Sequence, residues 1–408
     1  MTKTEILKAA FTAWGRELYL NTSLTQVARE LGVSKPALYR HIKNKDDLLD
    51  AMAGQFLDEF AAFLREHNAP HPQDDSEVDI FSLIRITAEY FAQNVNMFFF
   101  SFVRLYKRRN CSESLMEALQ SRGVDFAAIQ RQLAQKYGLH PHMRHIIFMT
   151  LTFFMAVFHN QHKSLENPPS KKTISKKIDM IIEIIERGLG YTSIEIRTLD
   201  YKALETRVEG TVVNIKDSPL LKAVVEAVAE AGPWEASMEQ VARRSGLSKS
   251  SLYGHFKSKH DMLRQLFITE FLQIVDFAVQ GMGHSAVPQE RVYLGIFSIA
   301  EYLRSRPDFL VAMDWIRTRR LDFSKGEHKQ DWEDGLPPDF PKLFEDIEIK
   351  PFSGGERFDD EKGRRRITHW ILFLIINILM LSGGKEVKNE DIRFLYRFLT
   401  LGIGGFAS

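Results

Sequence analysis

Apolar residues recur at three- and four-residue spacing along most of the chain. Ile6, Leu7, Ala10, Phe11 and Trp14 line one face, and Leu220, Leu221, Val224, Val225 and Val228 line another. Ile178, Ile181, Ile182, Ile185 and Leu189 do the same near the middle, as do Ile392, Leu395, Tyr396, Leu399 and Ile403 near the end. Each set fits the 3.6-residue period and predicts an amphipathic helix. Glycine and proline fall between these stretches, so an all-α fold is expected. A longer apolar run, Ile367 to Leu381, has 15 residues and carries His369 and Asn377. A membrane span needs about 20 apolar residues, so this run predicts a buried helix and no membrane partner.

The helical sets are one pattern written twice. Ser23 to Leu49 (SLTQVARELGVSKPALYRHIKNKDDLL) and Ser237 to Leu263 (SMEQVARRSGLSKSSLYGHFKSKHDML) share 15 of 27 positions without a gap, at an offset of 214 residues. The same offset relates Ile178 through Leu189 to Ile392 through Ile403, and Ala88-Glu89-Tyr90-Phe91 answers Ala300-Glu301-Tyr302-Leu303. The duplication therefore spans whole domains, about 1–191 and 216–408. Residues 192–215 join them. Arg207 to Val212 alternates like a short strand, and an extended linker is expected there. At about 3.3 Å per residue it would reach roughly 70–80 Å. The second copy holds an irregular insertion, about 321–366, with Trp332, Phe340 and Phe344. A long, partly ordered loop is expected there.

Composition narrows the class. With 44% hydrophobic and 26% charged residues among 408, the chain can bury sizeable cores. The single cysteine, Cys111, excludes an intramolecular disulfide and a zinc-finger framework, which suits a reducing, cytoplasmic compartment. The N-terminus runs straight into helical pattern without the apolar core of a secretory signal. Net charge is only +1, so a nucleic-acid partner has to show locally. It does: residues 23–49 hold five Lys/Arg against three Asp/Glu, and residues 237–263 hold five against two. Two basic patches on a near-neutral chain suit local phosphate binding.

Each repeated block has the grammar of a helix-turn-helix. Ser23 with Gln26, and Ser237 with Gln240, form capping boxes ahead of a Val-Ala core pair. Gly32 and Gly246 stop that helix, because glycine accepts the left-handed backbone of a tight inter-helix turn. Ser34 and Ser248 are placed to cap a second, short, basic helix. It carries Lys35, Tyr39, Arg40, His41 and Lys43 in one copy, and Lys249, Tyr253, His255 and Lys257 in the other. Leu38 and Leu252 face inward. Such a helix suits the DNA major groove.

On these residues the blocks resemble the DNA-binding domain of the TetR family of bacterial transcriptional regulators. The resemblance is sharp over about 45 residues per copy. It implies domains at 1–50 and 216–264 for DNA binding, at 51–191 and 265–408 for helical regulation and dimerisation, and a linker at 192–215. It implies that Ser23 and Ser237 cap the first helix and touch phosphate. Lys35, Pro36, Ala37 and Arg40, with Lys249, Ser250, Ser251 and Gly254, would face base edges. Tyr39, His41 and Lys45, with Tyr253, His255 and Lys259, would hold the DNA backbone. The copies differ where Gly254 replaces Arg40, Ser245 replaces Leu31, and Ser250-Ser251 replaces Pro36-Ala37.

The family's homodimers pair their last two helices in a four-helix bundle. Here 145–159, 175–189, 369–382 and 390–403 would supply that bundle within one chain, an intramolecular pseudo-dimer. The implied partners are a double-stranded DNA operator and a small-molecule effector, with no cofactor; further oligomerisation stays open. The implied mechanism is repression relieved by that effector.

Other features have plainer readings beside functional ones. Phe98, Phe102 and Tyr106, or Phe297, Phe309, Trp315 and Trp370, are candidates to line an effector pocket, against the alternative of core packing. His140, His142, His145, His159 and His162 are loosely spaced and interrupted by Pro141, so no metal site is expected. Arg104, Lys107, Arg108 and Arg109 beside Cys111 suit a solvated helix end. No phosphate loop, nucleophile elbow or metalloprotease pair is present in the sequence, so an enzyme is not expected. The competing class is a ligand-binding or protein-interaction module that keeps the helix-turn-helix scaffold but no longer reads DNA. Retention of Tyr, His and both lysines in both copies argues against it.

Overall fold

The computed structural model describes residues 2–16, 23–67, 79–104, 117–138, 145–147, 149–154, 170–189, 196–210, 218–232, 235–319, 343–345, 347, 360–381 and 387–406. Among the described residues every regular element is helical, as the periodicity predicts. They form two compact units: one contains the described residues up to Arg187 together with 402–406, the other those between Gly188 and Leu401.

The first unit contains α1 (Lys3–Arg16), α2 (Leu24–Glu30), α3 (Lys35–Tyr39), α4 (Lys45–Glu66), α5 (Ile80–Gln93), α6 (Val95–Arg104), α7 (Phe126–Tyr137) and α8 (Lys171–Arg187). Ile6, Ala10, Phe11 and Trp14 are buried on α1, which packs against α2, α4 and α6. Phe11 meets Phe100 of α6 edge-on at 5.3 Å. Gly15 permits the approach, since a Cβ there would collide with the Asn96 side chain. Behind this seam the core is aromatic: Phe60 stacks on Phe56 and Phe91 at 5.6 and 5.3 Å, and Phe98 abuts Phe91 at 4.8 Å. Residues 145–147 and 149–154 are helical within the predicted bundle segment 145–159, and α8 covers most of 175–189. Arg85 of α5 pairs with Asp179 of α8 at 2.7 Å.

The second unit contains α9 (Tyr201–Glu209), α10 (Pro219–Ala231), α11 (Met238–Ser245), α12 (Lys249–His255), α13 (Lys259–Met282), α14 (Pro288–Ser305), α15 (Pro307–Arg319), α16 (Glu361–Leu381) and α17 (Asn389–Leu401). Its packing scheme repeats the first: α10 lies on α11, α13 and α15, and α14 lies on α13 and α17. Its chemistry differs. Where the first copy has Phe56, the second has Glu270, 1% exposed, which accepts a 2.6 Å hydrogen bond from Tyr302 and pairs with Arg306. The run Ile367 to Leu381 is the buried body of α16. No helix among the described residues is long and apolar enough to cross a membrane.

Two expectations need correction. The loop predicted to Arg366 ends sooner, because α16 begins at Glu361, where Asp360 accepts a hydrogen bond from the Gly363 amide. Phe344 from that insertion is buried near Gly295, whereas Trp332 and Phe340 lie outside the described residues. The joint between the copies is also not simply extended. Asp200 caps α9 by accepting from the Ala203 amide, and α9 packs on α14.

Glu205 ties α9 to the helices beside it. It is 4% exposed and accepts from the Tyr293 hydroxyl at 2.5 Å, from Nε and Nη2 of Arg393 at 2.6 Å each, and from Asn389 at 3.1 Å. Burial works to raise its pKa, but these donors outweigh it and hold the carboxyl below its ordinary 4.5. The same burial and the carboxylate push the Tyr293 hydroxyl well up. Tyr201, on the same helix, meets Tyr293 at 4.8 Å and Tyr396 at 6.2 Å, and burial lifts its pKa to about 12.

Both last helices end on a left-handed glycine at equivalent positions, Gly188 (φ +64) and Gly402 (φ +63). A Cβ on Gly188 would sit 2.5 Å from the Leu401 nitrogen, and one on Gly402 2.5 Å from the Arg187 nitrogen. Alanine at either position meets a forbidden backbone region and backbone atoms at once. Gly402→Ala is expected to destabilise the chain by about 2–4 kcal/mol, read as a fall in the urea midpoint. Glu205→Ala leaves the Arg393 guanidinium without its carboxylate. Since that side chain keeps 23% exposure, the loss should lie near the lower end for a broken buried pair, about 3 kcal/mol. With the folded pKa of Glu205 below 4.5, the pair's contribution is complete above that pH and lost as pH falls through the folded value. The stability gap between the wild type and Glu205→Gln should therefore narrow in acid, measurable by denaturation at pH 7 and pH 3.

Candidate nucleic-acid interface

Each copy builds its exposed basic surface from three short pieces of local structure. In α2 the Ser23 hydroxyl accepts from the Gln26 amide at 3.3 Å, and Gln26 Oε1 accepts from the Ser23 amide at 2.5 Å. Ser237 and Gln240 repeat this at 3.2 and 2.7 Å. Both predicted capping boxes are present, and each satisfies two amides that a helix start leaves open. Leu24, Val27 and Ala28, with Met238, Val241 and Ala242, turn into the core.

Gly32 (φ +67) and Gly246 (φ +70) then reverse the chain. The amides of Val33 and Leu247 donate back to the carbonyls of Ala28 and Ala242 at 2.9 and 3.0 Å, a Schellman closure in both copies. A Cβ on either glycine would meet nothing within 4 Å, so backbone conformation alone calls for glycine. Leu31 is half-buried, and its counterpart Ser245 bonds back to the Val241 carbonyl at 2.9 Å.

The second helices follow. Ser248 caps α12 by accepting from the Ser251 amide at 3.1 Å. Ser34 occupies the same place before α3, but its side chain makes no cap bond; the Ala37 amide donates to the Ser34 backbone carbonyl instead, at 3.0 Å. Leu38 and Ile42, with Leu252 and Phe256, are no more than 2% exposed. They leave the opposite face to Lys35, Pro36, Tyr39, Arg40 and His41 in one copy, and to Lys249, Ser250, Ser251, Tyr253, Gly254 and His255 in the other, all exposed. Ser23 is exposed too, whereas Ala37, Ser237 and Lys259 are half-buried. Tyr39 and Tyr253, at 45% and 48% exposure, are the aromatics among the large hydrophobic side chains left open on the described residues. The Lys35 ammonium lies 5.8 Å from the Tyr39 ring centre, one turn back.

The third piece carries a signal that the sequence reading passed over. Asn44 accepts from the Asp47 amide at 2.8 Å while Asp47 accepts from the Lys43 amide at 2.8 Å. Ser258, Asp261 and Lys257 do the same at 3.1 and 2.9 Å. The pattern Lys-(Asn/Ser)-Lys-x-Asp, present in both copies, could have revealed it. It closes the turn after the second helix and fixes Lys45 and Lys259 at the first position of the next. Lys45 stands 5.5 Å over the buried Trp14 ring. Burial lowers the pKa of Lys259, opposed by the nearby Glu235.

The predicted pocket aromatics are placed apart from these surfaces. Phe98, Phe297 and Phe309 are fully buried and Phe102 nearly so, each against other rings: Phe98 with Phe102 at 6.1 Å, Phe297 with Tyr293 at 6.0 Å, Phe309 with Phe267 at 5.9 Å. Trp370 is half-buried on α16. Tyr106 lies outside the described residues, as do His140, His142, His159, His162, Lys107, Arg108, Arg109 and Cys111; of Arg104 and Trp315 only the backbone is described.

Residues 6–52 and 220–266 each match the family described as bacterial regulatory proteins, tetR family. These spans hold α1–α4 and α10–α13 up to the first turns of the long helices. The fatty acid metabolism regulator protein of Bacillus subtilis (strain 168) is 27% identical over 77 residues, which cover 19% of this chain and 40% of that protein. The chain thus matches under half the length of that relative. It carries, in tandem, two segments that match the bacterial regulatory proteins, tetR family.

Proposed function

We propose that the chain is a sequence-specific DNA-binding transcriptional regulator with two non-identical reading heads, residues 1–50 and 216–264, each followed by a helical regulatory domain. The reading rests above all on the repeated exposed set Tyr39, His41, Lys45 and Tyr253, His255, with Lys35 and Lys249 beside them. Packing of the second helix needs Leu38 and Leu252 but none of these, and open tyrosines flanked by cations are the groups that phosphates take as partners. The relative's name, a regulator of fatty acid metabolism, supports the regulatory class.

Arg40, Pro36 and Ala37 against Gly254, Ser250 and Ser251 present different chemistry to base edges, so the two half-sites of the operator differ. One chain supplies both heads, acting as a pseudo-dimer. Small-molecule release is the mode of control: an effector that binds the non-binding geometry more tightly shifts the population by that difference in affinity. Repression is the direction the family resemblance implies.

Selection from a random duplex pool tests this directly. An asymmetric bound site, with one chain per site by mass, is the expected result; a perfect palindrome as preferred site would overturn the two-reader proposal. Titration against salt separates the contacts. Lys45→Ala should reduce the steepness of log K against log salt by up to about 0.9, one phosphate's worth of released counterion. Tyr39→Ala and Tyr253→Ala each remove a hydrogen bond from a neutral hydroxyl to a charged phosphate, worth about 1.5–3 kcal/mol, so affinity should fall roughly 10- to 150-fold with the salt slope unchanged. Loss with Tyr39→Ala alone would make the second copy a structural partner only.

A further inference from the structure

Gly254 sits inside α12, flanked by the exposed Tyr253 and His255, at the place Arg40 holds in the first copy. Glycine is the poorest helix former after proline, so a helical glycine calls for a reason. Two other glycines of the second unit supply theirs. Gly246 has φ +70, and a Cβ on Gly281 would collide with the Ser298 hydroxyl. Gly254 has neither: it is not among the left-handed glycines, and a Cβ built on it meets nothing within 4 Å. Arg40 has ordinary helical backbone angles, φ −67 and ψ −23, so an arginine fits this part of the motif. Folding does not ask for glycine at 254. What distinguishes it is the missing side chain on an exposed reading face.

We propose that Gly254 is a specificity-determining residue: by presenting no side chain it leaves one base-pair step of the second half-site unread, the step that Arg40 reads in the first. This rests on the DNA-reading function proposed above. An arginine fork reaching a guanine edge discriminates by roughly 5- to 150-fold, so the difference between the heads should be large at that step and small elsewhere. Ser250 and Ser251 still offer hydroxyls to neighbouring positions.

The test compares pool selections for the full-length wild type, Gly254→Arg, Gly254→Ala and Arg40→Gly, with thermal unfolding of each. The wild type should select a site in which one position is specified in one half and indifferent in the other. Gly254→Arg should acquire a preference of at least fivefold at the indifferent position without loss of thermal stability, while Gly254→Ala keeps the wild-type profile. Arg40→Gly should make the matching position of the first half-site indifferent, which keeps the proposal open to failure even if Gly254→Arg does not fold. A folded Gly254→Arg with the wild-type profile, or an Arg40→Gly that still specifies its position, overturns the proposal. Loss of the second half-site in Gly254→Ala also overturns it, since glycine would then serve close approach of backbone to DNA. A wild type that selects no sequence defeats the DNA-reading function itself, before any variant is compared.

Discussion

A helix of five or seven residues has no standing of its own in water, where nucleation costs more than so few hydrogen bonds return. α3 and α12 therefore exist only because Leu38 and Leu252 are buried against the helix before them and Ile42 and Phe256 close the turn behind them. Everything presented on the open face is aimed by that buried side. The left-handed glycine at one end and the Asp47 or Asp261 closure at the other fix the rotation of the helix about its axis. Lys35, Tyr39 and their counterparts inherit their direction from it. The exposed surface is thus aimed for a reason unrelated to its own chemistry, and its residues are free to change without disturbing the packing beneath them.

The two units show how far chemistry can drift on one packing scheme. The first helix of each copy lies on the sixth, and the fifth lies on the last, in both. Yet the Phe56 position, stacked among phenylalanines in the first unit, is a buried glutamate in the second, satisfied by Tyr302 and Arg306. Near the last helix, the first unit uses a half-exposed Arg85–Asp179 pair, while the second buries Glu205 among four donor groups. A buried ion pair adds little net stability over an apolar core, but it tolerates only one geometry. In the second unit that geometry pins the connecting helix.

The helix-turn-helix was legible in the sequence because its determinants are local. Capping residues lie three apart, the glycine follows the last helical turn, and an eight-residue basic stretch repeats, so nothing distant is needed to see it. The all-helical class was legible for the same reason. What escaped was set by contacts far along the chain. Arg207-Val208-Glu209 alternates like a strand, yet it is helical, and Glu205 on the same helix meets Tyr293, Asn389 and Arg393, 88 to 188 residues away. The Ser34 cap failed although Ser34 and Ser248 are the same residue in the same register, because the Ala37 amide turned to a backbone carbonyl. The aromatic clusters read from spacing as core or as pocket, with core the plainer reading, and Phe98, Phe297 and Phe309 are fully buried.

Carrying both helix-turn-helix copies on one polypeptide changes what dilution and mutation can do. A homodimeric reader loses its second head as subunits come apart, and its occupancy then rises with more than the first power of concentration. Here the ratio of the two copies is covalent, so dilution cannot separate one from the other. A point mutation in a homodimer changes both halves of the reader together and forces both halves of its site to follow. In this chain each copy can change alone.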